Sequence, residues 1–270
     1  MRGSLQFIGN ATTLIRYNGF TLLTDPHFLH RGQRAYLGLG MSARRLKDPA
    51  VEVGDLPPLD AVVLSHLHGD HWDRVARRSL DKDTPIVTTT AAAGRLRRRG
   101  FRGSVGLEAW HQHELRGADG TVMITALPAK HAPGLAEALL PPVIGTMLEF
   151  CNRDERVELR LHISGDTLLD RRLDAIPRRF PDIDLAIVHL GGAKLLGTLP
   201  ITMDGEQGAA WVDLINPHTV VPVHLDDYDA FGSPLDDFRH HIEQAGLTDR
   251  VVYMGRGETR ELAPHHLVRR

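Results

Sequence analysis

The stretch "SHLHGDHWD", residues 65–73, packs three histidines and two aspartates into nine positions. It comes straight after an apolar run, "DAVVL" (60–64), that reads as a buried strand. Residues i and i+2 of an extended segment point the same way, so His66 and His68 can grip one cation together. Asp70 and His71 lie past the bend and face a neighbouring position. The motif therefore feeds two adjacent metal sites, and the remaining ligands must come from other loops. His131 ends the strand "VMITALPAK", Asp166 ends "LRLHISG" and His224 ends "TVVPV". Strand ends on one side of a sheet converge on a common crevice, where sites in α/β folds usually lie. Four strand ends delivering ligand-type residues form a constellation rather than an isolated motif.

The rest of the chain supplies the scaffold. "TTLIRYNGFTLLTDP" (12–26) reads as a hairpin around Asn18-Gly19, a dipeptide that accepts positive φ. Residues 28–58 read as a long loop with at most one helical turn. Short strands are expected at 84–90, 104–110, 121–131, 143–150, 157–166, 184–192, 218–227 and 250–255. Helices are expected at 73–80, 91–100, 168–180 (interrupted by Pro177), 204–215 and 233–246. Asp204 caps the fourth helix, with Gln207 completing an aspartate version of the capping box. Ser233 is expected as N-cap of the last helix, with Pro234 at N1. Both halves run strands first and helices later. That predicts one domain over 1–270, a four-layer αββα sandwich of two βα halves, split near 140–150 where "LPPVIG" punctuates the chain.

Composition narrows the function. The chain has 270 residues, 42% hydrophobic and 24% charged, with a formal net charge of −2. That is an ordinary globular mix with no global field for nucleic acid or anionic membrane. No apolar run approaches the ~20 residues that span a bilayer. "MRGSLQFIGN" lacks the apolar core of a signal peptide, and Cys151 is the single cysteine. A cytoplasmic location is therefore expected. Sixteen histidines is the unusual count. Beyond the four strand ends, most read as ordinary surface or core residues: His30, His111, His113, His162, His218, His240, His241, His265 and His266. His27, after the Asp25-Pro26 turn, could line the pocket. His189 reads as a buried neutral histidine near it. The basic run "RLRRR" (95–99) reads as the outer face of an amphipathic helix.

The motif resembles the His-x-His-x-Asp-His signature of the metallo-β-lactamase superfamily, and His131, Asp166 and His224 match its later ligand positions in order. "ATTLIRYNGFTLLTDPHF", "HISGDT", "DLAIVHLGGA" and "TMDGEQGAAW" look most like the branch of N-acyl-phosphatidylethanolamine phospholipase D and ascorbate-6-phosphate lactonase-like hydrolases. The resemblance implies that His66, His68 and His131 hold one metal and that Asp70, His71 and His224 hold a second. Asp166 would bridge them, and Asp25 would support a ligand histidine from behind. Nitrogen and oxygen donors without thiolate suit Zn²⁺, with Mn²⁺ or Fe also compatible. The superfamily's redox branch carries glutamate where this chain has His68, which argues against di-iron oxygen chemistry.

The expected function is a dinuclear metal-dependent hydrolase. A hydroxide shared between two cations about 3.5–4 Å apart would attack an ester, lactone or phosphodiester, with Asp70 relaying a proton to the leaving group. The substrate would be a small or lipid-like molecule, and a homo-oligomer stays open. Two alternatives remain: a nucleic-acid phosphodiesterase of the same fold, and a non-catalytic metal-binding protein. Specificity would reside in 28–58 and in 132–142 ("APGLAEALLPP"), the second as a candidate lid.

Overall fold

A computed structural model describes residues 3–262; His265 and His266 lie outside the described residues. Strands β1 (Gly3–Gly9), β2 (Thr12–Tyr17) and β3 (Phe20–Thr24) form an antiparallel meander. Asn18 and Gly19 make the β2–β3 turn with φ of 49° and 83°, as the dipeptide predicts. A separate hairpin follows, β4 (Arg34–Gly38) and β5 (Met41–Arg44). Then β6 (Ala61–Val63), β7 (Ile86–Thr89) and β8 (Val105–Leu107) add in parallel beside β3. Helices α1 (Arg74–Ser79) and α2 (Thr90–Arg97) connect them.

The second half repeats this plan. Strands β9 (Gln112–Arg116), β10 (Gly120–Leu127), β11 (Gly145–Asn152) and β12 (Val157–Ile163) are antiparallel. Helix α3 (Ala175–Arg179) leads into the parallel strand β13 (Leu185–His189). A small hairpin, β14 (Lys194–Leu195) and β15 (Leu199–Pro200), and helix α4 (Gly205–Ile215) precede the parallel strand β16 (Thr219–Val223). Helix α5 (Leu235–Gln244) follows, and β17 (Thr259–Glu261) returns to pair with β1. The sheet orders are β17-β1-β2-β3-β6-β7-β8 and β16-β13-β12-β11-β10-β9.

Three apolar clusters explain the layering. The central one joins both sheets, with Leu5, Ile15, Leu22 and Val63 from the first against Val122, Leu148, Leu161 and Ile187 from the second. A second cluster packs α4 and α5 on the outer face of the second sheet through Trp211, Val212, Phe238 and Ile242. A third packs α1 and α2 on the first sheet through Ala76 and Leu96. Each fully buried aliphatic side chain in these clusters contributes roughly 1.5–3 kcal/mol. The result is the expected αββα sandwich.

Several expectations need correction. The chain crosses between sheets between Leu107 and Gln112, ahead of the 140–150 segment, which lies within the second sheet as the end of the β10–β11 connection and the first part of β11. The 28–58 segment is not one loop; it contains the β4–β5 hairpin and a 3₁₀ turn at Val53–Asp55. Residues 250–255 form one isolated bridge, Val251 to Val220, rather than a strand. The 168–180 segment splits into a 3₁₀ turn (Arg171–Asp174) and the short α3, because Pro177 lacks an N–H and is accommodated only in a first turn. Asp204 does cap α4, accepting from Gln207 N at 2.9 Å, but Gln207 Oε1 accepts from Leu169 N instead of closing the box. Pro234 occupies the N-cap position of α5; the Ser233 hydroxyl instead accepts from Gly205 N, tying α5 to α4.

Candidate metal centre

The loop after β6 turns sharply at 68–72, with His71 N and Trp72 N both donating to His68 O (3.1 and 2.9 Å). That turn separates the pair His66/His68 from Asp70/His71. His131 follows β10, Asp166 follows β12 and His224 follows β16, while Asp25 follows β3. All seven donors and Asp25 are buried. His66, His68 and His131 offer three nitrogens within 4.8 Å of one another, and Asp70, His71, Asp166 and His224 form a second set of the same compactness.

The first set is a ring of imidazole lone pairs. His68 Nδ1 lies 3.0 Å from His66 Nε2 and 3.1 Å from His131 Nε2. Donor atoms of a tetrahedral zinc site with bonds of about 2.0–2.1 Å sit about 3.3–3.4 Å apart, so this spacing needs little adjustment. The hydrogen bonds behind the rings set which nitrogen is free. His131 Nδ1 donates to Ile201 O (3.0 Å), and His224 Nδ1 donates to Leu190 O (3.1 Å), leaving each Nε2 to face the centre. His71 Nδ1 donates to Asp25 Oδ2 at 3.0 Å. The Ser65 hydroxyl donates to Asp25 Oδ2 (2.9 Å) and accepts from His66 Nδ1 (2.9 Å). Asp25 therefore orients one histidine of each set, directly for His71 and through Ser65 for His66.

Electrostatics distinguish the two sets. Burial and the neighbouring imidazoles hold His66 well below the ordinary histidine value, and burial with His131 nearby lowers His68 to about 3. Both are neutral ligand-type imidazoles at physiological pH. In the second set burial opposes charge, yet Asp166, Asp70 and Asp25 outweigh it and hold His71 well above its ordinary value. Burial likewise opposes ionisation of Asp166, and His224 and His71 overcome it. The carboxylates of the second set thus favour positive charge among them, carried by the imidazoles or by a cation held in its place.

Asp166 touches both sets. Its Oδ2 lies 3.1 Å from His71 Nε2 and 3.8 Å from His66 Nε2. Asp166 Oδ1 and Asp70 Oδ1 are buried with no hydrogen-bond partner. Buried carboxylate oxygens left unpaired are costly, and coordination to a cation is a chemistry that would satisfy them. The donor sets therefore fit divalent cations.

The backbone is strained where these residues are delivered. His224 and Asp25 adopt positive φ (63° and 34°), a region that non-glycine residues avoid unless the surroundings enforce it. Gly165, immediately before Asp166, has φ of +62°, and a Cβ there would stand 2.6 Å from Ile144 O. Gly165→Ala is expected to destabilise the chain by about 1–3 kcal/mol in urea unfolding and to reduce metal loading. Unchanged stability would show that the turn relaxes freely.

Two further groups reach the site. His189, at the end of β13, is buried and neutral as expected, but its Nε2 lies 3.4 Å from Asp25 Oδ2, making a third grouping with Asp25 and His71. Its place at a strand end is the sequence signal that puts it near the pocket. Asn10, which carries no signal of the site in the sequence, donates from Nδ2 to Asp70 O at 2.7 Å. His27 does not line the pocket. It is fully buried between Arg45 and the Tyr228 hydroxyl, with its pKa pushed well down by burial and Arg45.

Similar proteins place this arrangement in context. The β-lactamase superfamily domain matches residues 21–225, three quarters of the chain. The chain belongs to the β-lactamase superfamily. Among its relatives, a metal-dependent hydrolase of Deinococcus radiodurans is 28% identical over 262 residues, covering 96% of this chain and 99% of the relative. An isothiocyanate hydrolase from Delia radicum gut bacteria has a similar structure, with TM-score 0.79 and 25% identity over 97% of this chain and 99% of that one. A possible metal-dependent hydrolase from Veillonella parvula has the same TM-score, 0.79, at 23% identity over 97% and 100%. With the donor cluster, these likenesses support a metal-dependent hydrolase of the metallo-β-lactamase fold.

In this β-lactamase superfamily member, Asp25→Asn is an informative change. The amide keeps the size of the carboxylate but removes the charge that orients His71 and, through Ser65, His66. Such supporting groups typically contribute 10–100-fold in metal affinity, so competition with a chromophoric chelator should show a loss of about that size. Wild-type affinity would mean that Asp25 acts only in folding.

Proposed function

We propose that the chain is a dinuclear metal-dependent hydrolase acting in the cytoplasm on a small substrate with an apolar part, at an ester, lactone or phosphodiester bond. His66, His68 and His131 hold one cation, Asp70, His71 and His224 hold the other, and Asp166 bridges. The observation that carries this reading is the reach of Asp166 Oδ2 to a histidine of each set (3.1 and 3.8 Å). Divalent cations held there, Zn²⁺ first among the candidates, supply Lewis acidity and a water acidified towards neutrality. Asp70 Oδ2 lies 3.2 Å from His224 Nε2, while Oδ1 has no hydrogen-bond partner in the protein and would take up the proton that the attacking water loses and deliver it to the leaving group.

The rim supports an apolar substrate. A 3₁₀ segment, Gly134–Leu139, lies within the proposed lid, and a cavity of about 620 Å³ runs from His131 beneath Leu135, Leu140 and Pro142. Leu135 and Leu139 are 93% and 64% exposed. Met41 of β5 and Ala136 pack with Leu195 and Ile201 around the β14–β15 hairpin, and Phe231 joins the same cluster 4.4 Å from the His224 ring. Exposed apolar side chains gathered at a site mouth mark a binding surface.

Metal analysis combined with a hydrolysis panel tests the proposal. The panel comprises lactones, a bis-aryl phosphodiester, a thioester, a β-lactam and an isothiocyanate, the last because a structural neighbour hydrolyses that class. We expect two divalent cations per chain and turnover of at least one ester, lactone or phosphodiester. Fewer than two cations, or full loading with no hydrolysis, would count against it. Cleavage of nucleic acid alone would favour the nuclease alternative.

A further inference from the structure

The basic run "RLRRR" does more than coat a helix. Arg74 and Arg77 stand three apart on one face of α1, while Arg95 lies in the last turn of α2 and Arg99 in the turn that follows it. All four line a cavity of about 400 Å³ together with Arg34 of β4. Asp73 is the one carboxylate in the lining, and it is already engaged, accepting from Phe28 N (2.6 Å) and Ala76 N (2.7 Å). Among the described residues, none of the five arginines forms a salt bridge with a carboxylate. Arg34 is steadied by Ser42, its Nε donating to Ser42 Oγ at 2.9 Å. Five permanently charged guanidiniums facing one small space repel each other, and a multivalent anion relieves that repulsion.

The cavity lies against the metal centre's own loop. Leu67 lines it from between His66 and His68, on the opposite side of that extended stretch, and Gly69 lines it from the turn that follows. Tyr36 lines it as well, and its carbonyl accepts from Gly69 N at 2.8 Å. We propose that this arginine cavity binds a polyphosphate-bearing small anion, as a site separate from the metal centre and on the far face of its ligand loop. Planar guanidiniums recognise phosphate oxygens in bidentate fashion, and a volume of this size suits a small molecule.

Isothermal titration of the metal-loaded protein with pyrophosphate and with ATP, at about 150 mM salt, tests this directly. Three proteins are compared: wild type, Arg77→Ser/Arg95→Ser/Arg99→Ser, and a charge-matched control, Arg78→Ser/Arg98→Ser/Arg102→Ser, whose exposed arginines do not line the cavity. Loss of at least about tenfold in affinity in the first variant, with the control within about twofold of wild type, supports the site. Equal affinities for the two probes then assign bare polyphosphate, and tighter ATP binding assigns a nucleotide. Equal losses in both variants would reduce the effect to general basicity. No loss in either would place the anion elsewhere, including on the metals, and no binding by wild type would remove the site; each of these overturns the proposal. Unliganded melting temperatures check that all three proteins are folded.

Discussion

Asp166→Ala is expected to lose metal and turnover together. The side chain is fully buried, its Oδ2 reaches a histidine of each donor set, and its Oδ1 has no protein partner. No neighbouring side chain can replace it, because the other carboxylates are committed: Asp70 to His224 and Asp25 to His71 and Ser65. Metal content should fall to one cation per chain or fewer, and turnover by about 10³-fold or more, equivalent to about 4 kcal/mol in the barrier. Asp166→Asn separates charge from shape, since the amide preserves packing but supplies no negative charge; it should load poorly as well. Wild-type turnover in Asp166→Ala would end the bridging assignment while leaving the two histidine-rich sets in place.

The second large effect is one of stability. Arg45, just after β5, is completely buried, and its Nη2 lies 3.0 Å from Asp227 Oδ1. Its Nε donates to Lys47 O (2.7 Å), and an Nη contacts His27. Asp227 also accepts from Arg256 (2.7 Å) and from Asn10 N (2.7 Å), and Asn10 in turn holds the Asp70 carbonyl. Removing one member of a buried ion pair leaves an uncompensated charge, typically 3–5 kcal/mol. Arg45→Met should therefore lower stability in urea by about 3 kcal/mol, the low end, because Arg256 still faces Asp227. Turnover should fall too, since the network ends on the backbone of Asp70. A loss below about 1 kcal/mol would show that water or Arg256 compensates fully. Adding Asp227→Asn to Arg45→Met should recover part of the loss, as the stranded charge is removed.

The strands visible in the sequence are those buried on at least one face. "DAVVL", "DLAIVHLGG" and "HTVVPVHLDD" are nearly continuous apolar runs because β6 and β13 lie inside their sheets, and β16, though it ends the second sheet, packs Val220 into the outer cluster and Val221 and Val223 into the central one. The poorly buried edge strands carry no such signal, for the converse reason. β17 reads "TRE" and is exposed throughout, and β9 reads "QHELR" with no buried residue. Neither carries an apolar signature; each exists because a neighbouring strand offers free backbone donors and acceptors. For the same reason the sequence carries no mark of the crossover between sheets, which lies before β9 and not after β10.

The donor set was legible because its chemistry is local. The spacing of His66, His68, Asp70 and His71 is a property of one loop, and His131, Asp166 and His224 each lie within about four residues of the end of an apolar strand. By itself the sequence determined the family, the layered α/β class and the residue types brought to the centre. Tertiary structure alone decided what surrounds them. It set Ser65 between Asp25 and His66, carried Arg45 across to Asp227, and turned Arg34, Arg74, Arg77, Arg95 and Arg99 towards one cavity. These contacts join residues far apart in the chain, through interactions whose strength depends on burial and distance rather than on sequence spacing.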